Sequence, residues 1–177
     1  SSIKGLGAYT GENSATIIKS CGVNHSIIGH SERRTTQRES NSIVRKKVEN
    51  CIEAGIAPIV CIGETLESRQ NKNYKEFLIE QINSSIPSNA HNLIIAYEPV
   101  WAIGSGITPQ PEEIYEIVEL IKKSARVEIV AKNAQLVYGG SVSSRNFAEI
   151  IKVPGLNGVL MGSASTDESE MTSILNQ

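Results

Sequence analysis

The sequence predicts an α/β fold, a (β/α)8 barrel of which this chain supplies about five βα units as one domain, residues 1–177. Short apolar runs alternate with longer segments of helical periodicity along the whole chain, which indicates parallel strands joined by crossover helices. Polar residues and glycines follow nearly every run at its C-terminal end. A barrel gathers such loops at one face, whereas an open doubly wound sheet concentrates its site at one switch point, so we favour the barrel.

The predicted strands are continuously apolar rather than alternating, as expected of strands that are buried on both faces. They cover residues 26–29, 56–62, 93–97, 135–138 and 158–161. Five strands do not close an eight-stranded barrel, so we expect this sequence to lack about the first three strands of the fold.

The predicted helices place apolar residues at helical spacing, with Asp, Ser or Asn near their starts. They cover residues 14–20, 41–54, 66–86, 111–124, 144–151 and 167–175. The sequence 45–47, Arg-Lys-Lys, is the only dense basic cluster. Because it lies among Val44, Val48 and Ile52, we interpret it as the solvent side of an amphipathic helix and give it no function.

The charge balance excludes some classes of partner. With 17 basic and 19 acidic side chains the net charge is −2, so no global field recruits nucleic acid or an anionic membrane, and we expect a small soluble partner. No stretch approaches the roughly 18 apolar residues of a membrane span, and no leader pattern opens the chain. The protein is therefore predicted to be cytoplasmic.

The three cysteines, 21, 51 and 61, are scattered. They form no C-x-x-C pair and no His/Cys spacing that would hold a metal, so we predict no metal site and a reduced compartment.

Glu98 is the first candidate catalytic residue. It follows an apolar strand, precedes Pro99 and lies among Tyr97, Trp101 and Ile103, a setting that would raise the pKa of its carboxyl towards the range of a general base. A strand-end Glu that pairs with a Lys or Arg is the ordinary alternative. The following loop favours the base, because its glycines and apolar side chains are suited to close over a ligand and donate N–H groups to an anion.

His30 is the second candidate. It ends an apolar strand, and Ser31 to Arg33 could open a helical turn whose dipole favours the neutral imidazole. A satisfied structural histidine is the alternative, and it is our interpretation of His25 and His91.

Glycines suggest a phosphate site. Gly139-Gly140-Ser141 and Gly162-Ser163 follow the last two strands, where small residues let main-chain amides approach an oxygen-rich group. Tight turns use the same residues, but two such loops in succession match the phosphate site that barrels build from their final loops.

Six segments, taken in order, resemble the successive loops of the triosephosphate isomerase family. They are GAYTGE (7–12), GHSERR (29–34), CIGE (61–64), AYEPVWAIGSG (96–106), YGGSV (138–142) and GVLMGSAS (158–165). The resemblance covers nearly the whole chain and implies an incomplete TIM (β/α)8 barrel without a cofactor.

The resemblance also implies roles. Glu98 would take a carbon-bound proton from dihydroxyacetone phosphate while His30 polarises the carbonyl, giving glyceraldehyde 3-phosphate through an enediolate in glycolysis or gluconeogenesis. Amides of the predicted phosphate site would bind the phosphate, namely those of Gly104, Ser141, Gly162 and Ser163. Residues 99–101 would be the first hinge of a lid whose closure excludes water.

Three further residues have supporting roles by the same resemblance. Glu32 would be a carboxylate beside the site, with an ion pair to Arg33 or Arg34 as the alternative. Thr10 would reach into a neighbouring subunit's pocket, which implies a homodimer. Tyr138 corresponds to a tyrosine that latches the lid in the family.

The sequence departs from the family in two places. The family's essential Lys and Asn at the end of the first barrel strand have no counterpart here, so residues 1–177 alone are expected to have negligible activity and poor stability, and a longer chain is expected to be active. The second hinge reads Ile-Thr-Pro at 107–109, and Pro109 has no N–H for the Tyr138 latch. We therefore expect closure to rely on the restricted φ of proline and on Ser141.

Two rival interpretations stay open. One is a catalytically silent partial barrel that keeps the phosphate loops. The other is a different phosphate-binding barrel enzyme, which would require the matches at His30, at Glu98 and in the lid to be coincidental.

Overall fold

A parallel five-stranded sheet with helices between its strands forms the described part of the chain. The structure, a computed structural model, describes residues 4–5, 7–103, 107–124, 127 and 134–177. The strands are β1 (His25–Ile28), β2 (Ala57–Ile62), β3 (Ile94–Tyr97), β4 (Gln135–Tyr138) and β5 (Gly158–Val159). The helices are α1 (Ala15–Ser20), α2 (Ser31–Thr36), α3 (Asn41–Glu53), α4 (Leu66–Gln70), α5 (Tyr74–Ser85), α6 (Pro111–Lys122), α7 (Phe147–Ile150) and α8 (Glu168–Leu175).

The strand order in the sheet is the order in the chain, β1 to β5, and every pairing is parallel. The register places Ile59 of β2 between Ile27 and Ile94. Each crossover therefore moves one strand along in the same direction, as in a barrel wall and unlike a sheet with a switch point. All C-terminal strand ends consequently lie along one edge.

The core lies between this sheet and helices α3, α5 and α6. Fully buried side chains include Val60, Ile95 and Leu136 of the strands, and they meet apolar helix positions three and four residues apart. On these helices the buried apolar side chains are Val44, Val48, Cys51, Leu78, Ile82, Ile114, Ile117, Val118 and Ile121.

Side-chain caps fix where several helices begin. Ser40 Oγ accepts the amide of Ile43 at 3.3 Å at the start of α3. The carboxylate of Glu113 accepts the amide of Gln110 at 2.9 Å before α6, whose first residue is Pro111. These bonds satisfy amides that a helix start leaves free.

The predicted helix 66–86 is wrong as one element. It is broken between Gln70 and Tyr74, where Lys72 takes a φ of 60°, a left-handed conformation that a helix does not continue through. The segment predicted at 144–151 is helical only at 147–150. Two short 3₁₀ turns, 100–102 and 163–166, were not predicted.

The interpretation of the basic cluster at 45–47 is wrong for Lys47. Its ammonium is 2.5 Å from the Glu39 carboxylate, and the side chain is 9 % exposed. Lys46 and Arg45 do lie on the outer side of α3, each pairing with Glu49 at 3.4 Å.

Within the residues that the structure describes, no helix is both long and apolar enough to cross a membrane. Over the same residues, no group of three His, Cys, Asp or Glu side chains is arranged to hold a metal ion. Cys21 is exposed, Cys51 and Cys61 are buried, and all three are free thiols. The assignment of residues 1–177 to one domain stays a prediction.

Candidate active site at the C-terminal strand ends

Glu98 follows β3 directly, and the strand ladder fixes its backbone. Its amide donates to the carbonyl of Ile62 at 2.7 Å, as the next bond after the β2–β3 pairing. Two glycines make room for it: a Cβ at Gly63 would overlap the Glu98 carbonyl, and one at Gly139 would lie 2.7 Å from its Cγ. Larger residues at either position would displace the carboxylate.

The Glu98 carboxylate is 2 % exposed. Oε2 accepts the amide of Ser31 at 3.3 Å, and Oε1 has no hydrogen-bond partner among the described residues. Burial raises the pKa of Glu98, and the Cys61 thiol, His30 and the Ser31 amide lower it without offsetting that effect. Its pKa therefore lies above the ordinary value, which makes it a stronger base than a solvated carboxylate.

His30 faces this carboxylate, with Nε2 3.6 Å from Glu98 Oε1. Its Nδ1 accepts the amide of Glu32 at 3.3 Å, so the imidazole caps helix α2. A ring nitrogen that accepts an amide carries no proton, and this hydrogen bond therefore assigns the neutral tautomer with N–H at Nε2. That N–H points towards Glu98 and the cavity beside it.

A cavity of about 480 Å³ lies against both side chains. Ser141, Gly162 and Ser163 line it as well, and their amides donate no hydrogen bond to any described residue. Unpaired amides of this kind suit an anion. The remaining lining residues are Ile27, Glu32, Ile103, Gly139, Gly140, Val142, Leu160, Met161 and Ala164.

The other predicted site residues lie in different places. Gly104 lies outside the described residues. Thr10 is exposed in a turn near the start of the chain and does not line the cavity. Glu32 is exposed at the cavity, and its alternative ion pairs are not seen, because Arg33 pairs with Glu39 and Arg34 binds backbone carbonyls.

Tyr138 lies in the core behind the cavity. Its ring packs edge-on against Tyr97, with centroids 6.2 Å apart. Its hydroxyl is buried and has no hydrogen-bond partner among the described residues, and burial raises its pKa. This hydroxyl does not latch the second hinge through position 109, which is proline.

The segment predicted as the first hinge, residues 99–101, contacts a buried carboxylate that the sequence analysis did not select. Glu64 is fully buried, and its Oε1 accepts the indole N–H of Trp101 at 2.9 Å and the hydroxyl of Tyr97 at 3.1 Å. The guanidinium of Arg69 lies 3.4 Å from the same oxygen and 5.5 Å from the centre of the indole ring. The position of Glu64 at a strand end could be predicted, because Gly63 and Glu64 follow an apolar run. Its contact with Trp101 could not, because that contact depends on the 3₁₀ turn at 100–102.

The contacts of Cys61 and the Ser31 amide with Glu98 were also missed. The strand pairing places Cys61 beside Ala96, and nothing in the local sequence near Glu98 gives that register. Only the CIGE motif, which contains Cys61, indicated that this residue lies near the site.

Comparisons with known proteins identify the family. The triosephosphate isomerase family model matches residues 1–177. A triosephosphate isomerase of Orientia tsutsugamushi is 44 % identical over 172 residues, which cover 96 % of this chain and 69 % of that protein. One from Bartonella bacilliformis is 43 % identical over 174 residues, covering 96 % and 68 %.

A solved structure gives the same result. The crystal structure of triosephosphate isomerase from Bartonella henselae superposes with a TM-score of 0.89 at 36 % identity, over 99 % of this chain and 72 % of that one. The five-stranded parallel sheet is thus an incomplete TIM barrel, as predicted. The chain belongs to the triosephosphate isomerase family.

Proposed function

We propose that this site interconverts dihydroxyacetone phosphate and D-glyceraldehyde 3-phosphate through an enediolate. One observation carries the proposal: Glu98 Oε1 and Nε2 of a neutral His30 lie 3.6 Å apart on one cavity, which is also lined by amides that have no hydrogen-bond partner among the described residues. The names of the relatives support the same reaction.

The chemistry needs one base and one proton donor. Glu98 takes the proton from the hydroxyl-bearing carbon, the electrons of that C–H bond form the enediolate C=C bond, and the carbonyl oxygen gains the negative charge. His30 stabilises that oxygen through Nε2–H and moves a proton between the two oxygens. Return of the proton from Glu98 to the neighbouring carbon completes the isomerisation, and no redox or metal step is required.

The phosphate group of the substrate would bind the unpaired amides. Ser141 follows β4, and Gly162 and Ser163 follow β5, so both loops reach one edge of the sheet. Gly104 is proposed as a fourth donor from the lid loop. Binding energy from the phosphate would position the reacting carbons against Glu98.

The proposed partners follow from the site and from the family resemblance. The substrate is a small phosphorylated three-carbon sugar, and no cofactor is needed. We propose a homodimer to which Thr10 contributes, with no nucleic-acid or membrane partner, and a cytoplasmic location.

Proton exchange is the most direct test. In D₂O, a longer chain that joins residues 1–177 to the family's first-strand Lys and Asn should catalyse incorporation of deuterium into the C–H positions of dihydroxyacetone phosphate, followed by NMR. Glu98→Gln should lower that rate by about 10²–10⁴-fold, because Gln does not accept the proton. Residues 1–177 alone should show negligible exchange, since the family's first-strand Lys and Asn have no counterpart in them.

A phosphate-free substrate supplies the control. Glyceraldehyde without phosphate should exchange much more slowly than the phosphate ester, because the Ser141, Gly162 and Ser163 amides have nothing to bind. Exchange that is independent of Glu98, or absent from the longer chain, would favour the silent partial barrel.

A further inference from the structure

The second end of the lid loop, residues 99–109, contacts the body of the protein through Thr108. Its Oγ1 accepts a hydrogen bond from Asn146 Nδ2 at 3.0 Å and lies 3.5 Å from the carbonyl oxygen of Ser141. Asn146 precedes α7 and belongs to none of the predicted site residues. It does not line the cavity.

Asn146 also holds the phosphate loop. The same Nδ2 donates to the carbonyl of Ser141 at 3.1 Å, and Oδ1 accepts the amide of Ser143 at 2.8 Å. One side-chain amide thus contacts the loop on both sides of residue 142 and the lid hinge together. Its orientation is fixed, because only the Nδ2 end donates and only the Oδ1 end accepts.

Ser141 extends the connection to the first hinge. Its Oγ donates to the carbonyl of Ala102 at 2.7 Å. The two ends of the lid are therefore joined through Ser141, directly at Ala102 and through Asn146 at Thr108. The Tyr138 hydroxyl does not provide a parallel route, since it has no partner among the described residues and Pro109 has no N–H.

We propose that Asn146 is a positioning residue, which couples the second lid hinge at Thr108 to the phosphate loop at Ser141. Its Nδ2 bonds set the position of the hinge and of the Ser141 carbonyl at the same time. The inference rests on the proposed function, because residues 99–109 act as a lid only if a phosphate ester binds beneath them.

Limited proteolysis tests the coupling without an activity assay. Thermolysin cleaves before large apolar residues, and Ile107, which is 57 % exposed, lies next to the hinge. Thr108→Val removes Oγ1, and Asn146→Asp removes the Nδ2 donor but keeps an acceptor for Ser143. Thr108→Val should speed the cleavage before Ile107 about fivefold, the effect of losing one ordinary hydrogen bond. Asn146→Asp loses both Nδ2 bonds, to Thr108 and to the Ser141 carbonyl, and should speed this cleavage at least as much.

The double variant decides whether the two residues act together. If the bond couples them, the double variant is cleaved no faster than Asn146→Asp alone, whereas independent roles would multiply the two single effects to about 25-fold or more. Asn89→Asp adds the same charge in an exposed loop before β3 and should leave the rate unchanged. Unchanged cleavage in both single variants, multiplied effects, or an equal increase at sites within β1 to β3 would overturn the proposal.

Inorganic phosphate separates this proposal from the proposed function. Phosphate should protect the unaltered chain from cleavage before Ile107, and should protect the Asn146→Asp chain less. Phosphate that gives the unaltered chain no protection counts against the proposed function, while the double-variant comparison still decides the role of Asn146.

Discussion

Glu98 is a buried acid whose charged form is costly to keep in the folded protein. Because burial raises its pKa above the ordinary 4.5, the native state binds this proton more tightly than the unfolded state does. Its contribution to stability is complete below pH 4.5 and is lost as the pH rises through the native pKa.

The first prediction follows from this raised pKa of Glu98. Glu98→Gln keeps the shape and an oxygen for the Ser31 amide but carries no charge, so it should be more stable than the unaltered chain at pH 8. The difference in unfolding free energy should disappear near pH 4, as measured by urea unfolding at both pH values. A variant that is equally or less stable at pH 8 would contradict the assigned pKa direction.

Tyr138 gives a second prediction, because its buried hydroxyl has no partner among the described residues. An unsatisfied buried hydroxyl costs about 1–3 kcal/mol, so Tyr138→Phe should be neutral or stabilise the fold by up to about 1 kcal/mol. Tyr97→Phe is the matched control. It removes a hydroxyl that donates to Glu64 at 3.1 Å and should destabilise by about 1 kcal/mol or more. A clear loss of stability in Tyr138→Phe would reveal a partner for this hydroxyl.

The sequence predicted the position of Glu98 and His30 at strand ends, because continuous apolar runs mark buried parallel strands. It did not predict what touches them. The Cys61 thiol reaches Glu98 from the neighbouring strand, and the Ser31 amide reaches it from 67 positions away in the chain. Such contacts depend on strand register and loop conformation, which local patterns do not contain.

Helices α2 and α3 are joined by a buried ion cluster. The Glu39 carboxylate is 2.5 Å from both Lys47 Nζ and Arg33 Nε. Burial raises the pKa of Glu39, but hydrogen bonds from Lys47 and Arg33 outweigh it, so the pKa lies below its ordinary value. The sequence placed Lys47 on the solvent side because its partner precedes the helix and does not share its periodicity.

The third prediction is that Lys47→Met destabilises the protein by about 3 kcal/mol, since it leaves a buried carboxylate with one cation on its exposed side. Lys46→Met, on the outer side of the same helix, should change the free energy of unfolding by less than about 0.5 kcal/mol. Urea unfolding at pH 7 measures both. Equal effects at the two positions would mean that the ion cluster does not stabilise α3.

The break between α4 and α5 shows a different limit of sequence patterns. The prediction joined Leu66 to the apolar positions of 74–86, although residues 67–73 hold no apolar side chain. Lys72 there adopts a positive φ, and Asn73 precedes the second helix. A side-chain contact explains the geometry: the hydroxyl of Ser68 donates to Asn73 Oδ1 at 2.9 Å. Periodicity reports which face is apolar, and it does not report where the backbone turns.

Across the whole molecule, consecutive parallel pairing leaves β1 and β5 each bonded on one side only within the described residues. Strand β1 is the longer of these two edges, and Ile27 at its centre is 47 % exposed. An apolar side chain on an unpaired edge favours pairing with another chain. The same side chain lines the candidate active site, so association at this edge would also cover the cavity.

The fourth prediction is that, for residues 1–177 as a separate chain, Ile27→Lys lowers the fraction of aggregates larger than a dimer, because a charge on an edge strand opposes strand addition. Ile17→Lys is the control: Ile17 is 43 % exposed but lies on helix α1 and not on a strand. Sedimentation velocity over a series of protein concentrations measures the size distribution. If both variants reduce the large species equally, general solubility explains the effect. If Ile27→Lys alone reduces them, the β1 edge is where copies of this sheet meet, and the same variant should then expose the cavity beside His30 to solvent in more of the molecules.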